Sequence, residues 1–119
     1  MDQKQRSLNA GKLDIHVLKG LLEQNAILDP QVIVGPQIGE DAAVIDPGRE
    51  AEHYWVVTSD PITFTTEEIG YYGVVVNVND IATRGARPRW FVVTLLFPEG
   101  ESPAIVGKVF RQVYEALDN

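Results

Sequence analysis

Apolar residues first recur at helical spacing from Leu13 through Val17, Leu18, Leu21 and Leu22. This predicts a helix over about Lys12–Asn25, with Asp14 in its first turn and Asp29-Pro30 as its stop. Gln31–Val34 is a short β-branched run broken by Gly35-Pro36. Ala42–Ile45 then reads as an apolar strand closed by Asp46-Pro47-Gly48, and Tyr54–Thr58 as a second strand ending at Ser59-Asp60-Pro61. Thr66–Arg84 reads as a long buried helix. Thr65 or Thr66 is its cap, Glu67 and Glu68 lie in its first turn, and Gly85 closes it. The Val74-Val75-Val76 run argues for a strand, but the continuation through Asp80 and Ala82 favours the helix. Trp90–Phe97 is apolar throughout and predicts a strand buried on both faces. Pro98-Glu99-Gly100 turns the chain, and Ser102 caps a last helix over Pro103–Leu117 with Ile105, Val109, Val113 and Leu117 in one stripe. The order predicts a two-layer α+β (α/β-type) domain over residues 11–119 behind a polar tail of residues 1–10.

A chain of 119 residues with 45% apolar content can bury a core, and it has no internal repeat or low-complexity stretch. No apolar run is long enough to span a bilayer, and the first residues lack the apolar segment of a secretory signal, so the expectation is a cytoplasmic protein without membrane contact. The absence of cysteine removes disulfides and thiolate chemistry. A net charge of −7 lacks the basic footprint that nucleic acid requires, yet leaves nucleotide binding through a divalent cation open.

Three acidic residues stand apart from the surface charges. Asp41 precedes a strand, Asp60 follows one, and Asp80 sits inside an apolar helix. Buried charge needs a partner. Arg84, one turn beyond Asp80, supplies one reading, and a metal ion supplies the other. Glu40, adjacent to Asp41, adds like charge to the same turn. Asn77 shares a helical face with Asp80, Asn79 lies on another, and such oxygens suit Mg²⁺ or Ca²⁺ rather than zinc. His16 and His53 show no partner pattern and read as solvated. Walker-type, GxGxxG, GxSxG and zinc-ligand spacings are absent.

Three stretches in order, "IGEDAAVI" (38–45), "VVTSDPIT" (56–63) and "IGYYGVVVNVNDIATRGARPRWF" (69–91), resemble the amino-terminal half of the aminoimidazole ribonucleotide (AIR) synthetase superfamily. Thiamine-monophosphate kinase, selenophosphate synthetase and a nitrile-forming hydrogenase maturation factor belong to it. The resemblance covers roughly residues 11–117. It implies a PurM amino-terminal-domain-like fold: a mixed sheet packed by helices, with strands pairing across a homodimer. It implies ATP and Mg²⁺ as cofactors and ATP-dependent phosphorylation of a substrate oxygen. By position it implies Asp41, Asp60 and Asp80 as metal ligands, Glu40 at or behind the metal shell, and Thr58, Ser59, Asn77 and Asn79 as nucleotide-side candidates; no catalytic residue is assigned. The divalent cations would then offset the Glu40–Asp41 repulsion.

Pro61-Ile62-Thr63-Phe64-Thr65 stands where thiamine-monophosphate kinases carry Gly-His-Phe, and the missing cysteine sets the chain apart from selenophosphate synthetases. The resemblance is therefore nearest to AIR synthase-related or hydrogenase maturation proteins, with a thiamine-monophosphate-kinase-like activity as the alternative. Family members are about twice as long or more and carry a second domain. The expectation is an excised amino-terminal domain without turnover of its own. The competing readings are a non-catalytic dimerisation or regulatory module, and a plain α/β domain whose acids pair with Arg84, Arg87 and Arg89.

Overall fold

The computed structural model describes residues 7–63 and 67–119. Helix α1 (Ile15–Gln24) is followed by strands β1 (Val32–Val34), β2 (Ala43–Ile45) and β3 (Trp55–Val57), then by helices α2 (Ile69–Ala82) and α3 (Pro103–Leu117). Helix α1 begins after Asp14, whose carboxylate accepts from the backbone N–H of His16 (2.9 Å) and Val17 (3.3 Å). Asp14 is thus the N-cap rather than a first-turn residue. Helix α3 has the predicted bounds: Ser102 caps it through the Ile105 N–H, and Pro103 takes the first helical position, where its missing N–H costs nothing. Helix α2 starts after Glu68, later than predicted, and the expected Thr65 or Thr66 cap falls outside the described residues.

The sheet is antiparallel in the order β1-β2-β3. Ala43, Val44 and Ile45 face Val57, Val56 and Trp55. On the other side Val32 pairs with Ile45 and Val34 with Val44, leaving Ile33 in an irregularity between them. Cross-strand partners share a face. Val34, Val44 and Val56 therefore form the better-buried face, whereas Trp55 and Val57 stand half exposed on the other.

Two expectations are corrected here. The described sheet is antiparallel rather than mixed, and Trp90–Phe97 joins no strand ladder. Phe91, Val93 and Leu95 line a small cleft with Phe110, Val113, Tyr114 and Leu117 of α3. Between them Val92 is 94% and Leu96 90% exposed. The segment therefore leans one face on α3, and that face is only partly covered, with Val93 47% exposed. A strand requires a neighbour to pair with, and composition alone does not supply one.

The core is centred on the α2–α3 contact. Val74, Val109 and Val113 are buried there, with Ala42 and Val44 buried on the sheet side. Gly70 makes the close approach possible: a β-carbon at this position would lie 2.6 Å from the Val109 carbonyl oxygen and 2.8 Å from Gln112 Cβ. Its N–H also donates to Gln112 Oε1 at 3.1 Å. Replacing a helical Gly by Ala ordinarily gains about 1 kcal/mol. Here the clash is with backbone, which cannot swing aside, so Gly70→Ala is expected to destabilise the chain by about 1–3 kcal/mol. Urea unfolding measures this, and an unchanged or higher midpoint would contradict the packing described.

Candidate functional site

Two faces of α2 have different partners. Gly70 lies against α3, whereas Asn77 and Asp80, three residues apart, reach the chain leaving β3. Asn77 is the clamp on that side. Its Oδ1 accepts from the Asp60 N–H at 3.0 Å, while its Nδ2 donates to the Gly73 carbonyl at 2.7 Å and to the Asp60 carbonyl at 3.4 Å. The side chain thereby replaces a strand partner for residue 60. Asn77, a nucleotide-side candidate by resemblance, uses its amide here to hold Asp60 in place.

The clamp brings the Asp60 and Asp80 carboxyl groups into hydrogen-bonding contact. A hydrogen bond that the protonated Asp80 carboxyl donates to Asp60 pushes the Asp80 pKa above the ordinary aspartate range, helped by desolvation and by the Asp60 charge, with the Thr58 hydroxyl pulling the other way. Thr58 Oγ1 lies 3.4 Å from Asp80 Oδ2 and donates to the backbone carbonyl of Asp41 at 2.8 Å. One hydroxyl at the end of β3 thus links the turn before β2 to the acidic pair on α2.

Of the two readings of Asp80, the ion pair with Arg84 is not formed. Arg84 is instead ion-paired with Glu40, across 44 residues of sequence. Asp41 enters the site by its carbonyl oxygen, and Ser59 and Asn79 are exposed beside it. Among the described residues no group of three or more His, Cys, Asp or Glu side chains is gathered to hold a metal. The predicted acids therefore divide into a contacting pair, Asp60–Asp80, and a turn carrying Glu40 and Asp41 beside it.

The donor set fits magnesium. Mg²⁺ is commonly held by one or two carboxylates, with substrate phosphates and water completing an octahedron, so a full protein cage is not needed. The repulsion that Asp60 exerts on Asp80 is also one that a cation can relieve. An open cleft of about 510 Å³ lies between α1 and the turn before β2, lined by residues including Ile15, Lys19, Leu22, Pro36 and Ile38; none of the four acidic candidates lines it. Among the described residues, no helix is long and apolar enough to cross a membrane.

The long-range parts of this geometry, the Asn77 clamp and the Arg84–Glu40 pair, were not read from the sequence. The signal available for the second was a cation in "TRGARP" matched to the acids of "GEDA".

Residues 39–119 match the family described as AIR synthase related protein, N-terminal domain. A thiamine-monophosphate kinase of Rhodopirellula baltica is 39% identical over 101 residues, covering 73% of this chain and 31% of the relative. The carbamoyl dehydratase HypE of Rhodobacter capsulatus is 33% identical over 72 residues, covering 58% of this chain and 21% of the relative. A thiamine-monophosphate kinase of Haemophilus influenzae is 28% identical over 97 residues, covering 74% and 27%. The chain spans less than a third of the length of these relatives. No solved structure matches it. The matched span includes the positions of Glu40, Asp41, Asp60 and Asp80, and identifies the chain as a member of the AIR synthase-related family through its N-terminal domain.

Proposed function

We propose that this chain is the ATP- and Mg²⁺-binding part of an enzyme that phosphorylates a substrate oxygen. The observation that carries the proposal is the Asp60–Asp80 contact, built by Asn77 and Thr58 from two separate segments. A like-charge contact opposes folding unless something offsets it, and a plain structural domain has no use for one held this firmly. In this reading Asp60 and Asp80 hold the cation, with Asp41 completing the site. Bound Mg²⁺ supplies charge neutralisation to the nucleotide phosphates. The chain's own work is positional: Asn77 fixes the Asp60 backbone, Thr58 ties Asp80 to the Asp41 carbonyl, and exposed Ser59 and Asn79 border the phosphate side. Phosphoryl transfer depends mainly on such positioning and charge stabilisation.

The acceptor follows the relatives. Two of them are thiamine-monophosphate kinases whose matches cover 73% and 74% of this chain, against 58% for HypE. This favours a thiamine-monophosphate-like acceptor as a second reading, against which stands Pro61-Ile62-Thr63 after Asp60. A non-catalytic module of the same fold would have no reason to keep the acidic pair.

Competition tests the phosphate side of the site. If the cation is the link to the nucleotide, ATP binds with Mg²⁺ present, whereas AMP, which lacks the β and γ phosphates, competes at least about 10-fold less well. Equal competition by AMP would place recognition on the nucleoside and count against a metal-mediated site.

The exposed sheet face supports a homodimer. The apolar groups on β3, Trp55 and Val57, are 55% and 50% exposed. In the proposed assembly a second copy covers them through the same face.

A further inference from the structure

Arg84 is unexplained by cation and nucleotide binding alone. It lies just past the end of α2, where its N–H donates to the Ile81 carbonyl and Gly85, at φ +67°, turns the chain away. Its guanidinium is paired with Glu40, and the two side chains are 28% and 31% exposed, so the pair is partly shielded from solvent. Glu40 belongs to a turn with few other ties: its N–H donates to the Gln37 carbonyl at 3.3 Å, and Gly39 takes φ +85°. Residue 41 is held by the Thr58 hydroxyl, and the β2 ladder begins only at Ala43.

We propose that Arg84 is a positioning residue of the acidic site: by its ion pair with Glu40 it anchors the 37–41 turn to the end of α2 and keeps Asp41 against Thr58. The inference rests on the cation-site reading for its consequence, but not for its geometry. Glu40 is then a strut rather than a ligand. Arg84 also offsets the charge of Glu40, which is adjacent in sequence to Asp41. Two struts from different elements, Thr58 from β3 and Arg84 from α2, fix a turn that neither could hold alone. Loss of one leaves Asp41 adjacent to an uncompensated Glu40, and the two repel. The electrostatic strength of such a pair is modest when exposed and larger when shielded, as here.

Charge reversal tests this in the full chain. Glu40→Arg and Arg84→Glu are each expected to weaken Mg²⁺-dependent ATP binding by about 10-fold or more, the effect of removing a group that orients a ligand. The double variant Glu40→Arg/Arg84→Glu restores the pair with its polarity exchanged and is expected to recover binding to within about 3-fold of the parent. A double variant as weak as Glu40→Arg alone would mean that Glu40 touches the cation, or Arg84 the phosphates, and would overturn the proposal. Amide hydrogen exchange at residues 37–42 without ligand provides the independent readout. Protection falls in each single variant and returns in the double variant if the pair anchors the turn. Unchanged protection in the single variants overturns the proposal even if ATP binds. A parent chain that binds no ATP while its exchange pattern follows the pair would sink the nucleotide reading and leave the anchor standing.

Discussion

Asp80→Asn is expected to raise the melting temperature of the ligand-free chain at neutral pH by a few degrees while weakening Mg²⁺-dependent ATP binding by about 100-fold or more. The two effects have one origin. Contact with Asp60 and desolvation hold the Asp80 proton more tightly in the folded chain than in the unfolded one. The sign follows from linkage: where the folded state binds more protons, stability falls as pH rises. This contribution is therefore fully present below the ordinary value of 3.8 and is lost as pH climbs through the raised folded value. Asparagine has the shape of the protonated acid and never ionises, so it escapes the loss. The advantage of Asp80→Asn should accordingly shrink as pH falls below the ordinary aspartate value. The same replacement removes the charge that a cation needs. Melting curves across pH, paired with ATP titrations, measure both effects. A variant that melts lower at neutral pH would mean that Asp60 and Asp80 do not repel in the free chain. A variant that keeps its affinity would remove Asp80 from the site.

Val57→Lys is expected to turn a dimer into a monomer. Val57 pairs with Ala43 across β3 and β2, and Trp55 pairs with Ile45 on the same face. A lysine here places a charge in the middle of the apolar surface that a second copy would cover, which is how sheet proteins discourage association. Loss of a central contact of this kind costs about 2 kcal/mol or more, roughly a 30-fold change in dimer affinity. Sedimentation velocity over a concentration series reads it directly. A parent chain that stays monomeric at ~100 µM, where contacts of about 6 kcal/mol would already be visible, would contradict the pairing.

What the sequence disclosed follows from the range of the interaction that specifies each feature. Helix α3 was legible residue for residue, because Ser102, Pro103 and the Val109–Val113 stripe act within a few positions of one another. The bounds of α1 were also near, although Asp14 acts as cap. Trp90–Phe97 was misread because strand identity lies in a partner, and β propensity reports burial as much as backbone preference. In the site, the resemblance singles out Asp41, Asp60 and Asp80 with Glu40 beside them, and of these Asp60 and Asp80 interact. Their meeting depends on Asn77, whose bonds reach 17 residues back to Asp60. The local pairing of Asp80 with Arg84 was the natural reading at a spacing of four. It lost to two non-local ones, Asp80 with Asp60 and Arg84 with Glu40. Helical spacing tells which residues can meet, whereas the fold decides which of them have a better partner elsewhere.

The central claim, that an acidic pair held by Thr58 and Asn77 takes nucleotide through a divalent cation, is tested most directly by calorimetric titration of the chain with ATP, with and without Mg²⁺. Saturable binding is expected with Mg²⁺, with a loss of at least about 10-fold in affinity when the ion is withheld. Binding of equal strength in the presence of a chelator would contradict it, because the carboxylates of Asp60 and Asp80 would then face the phosphates with nothing between them.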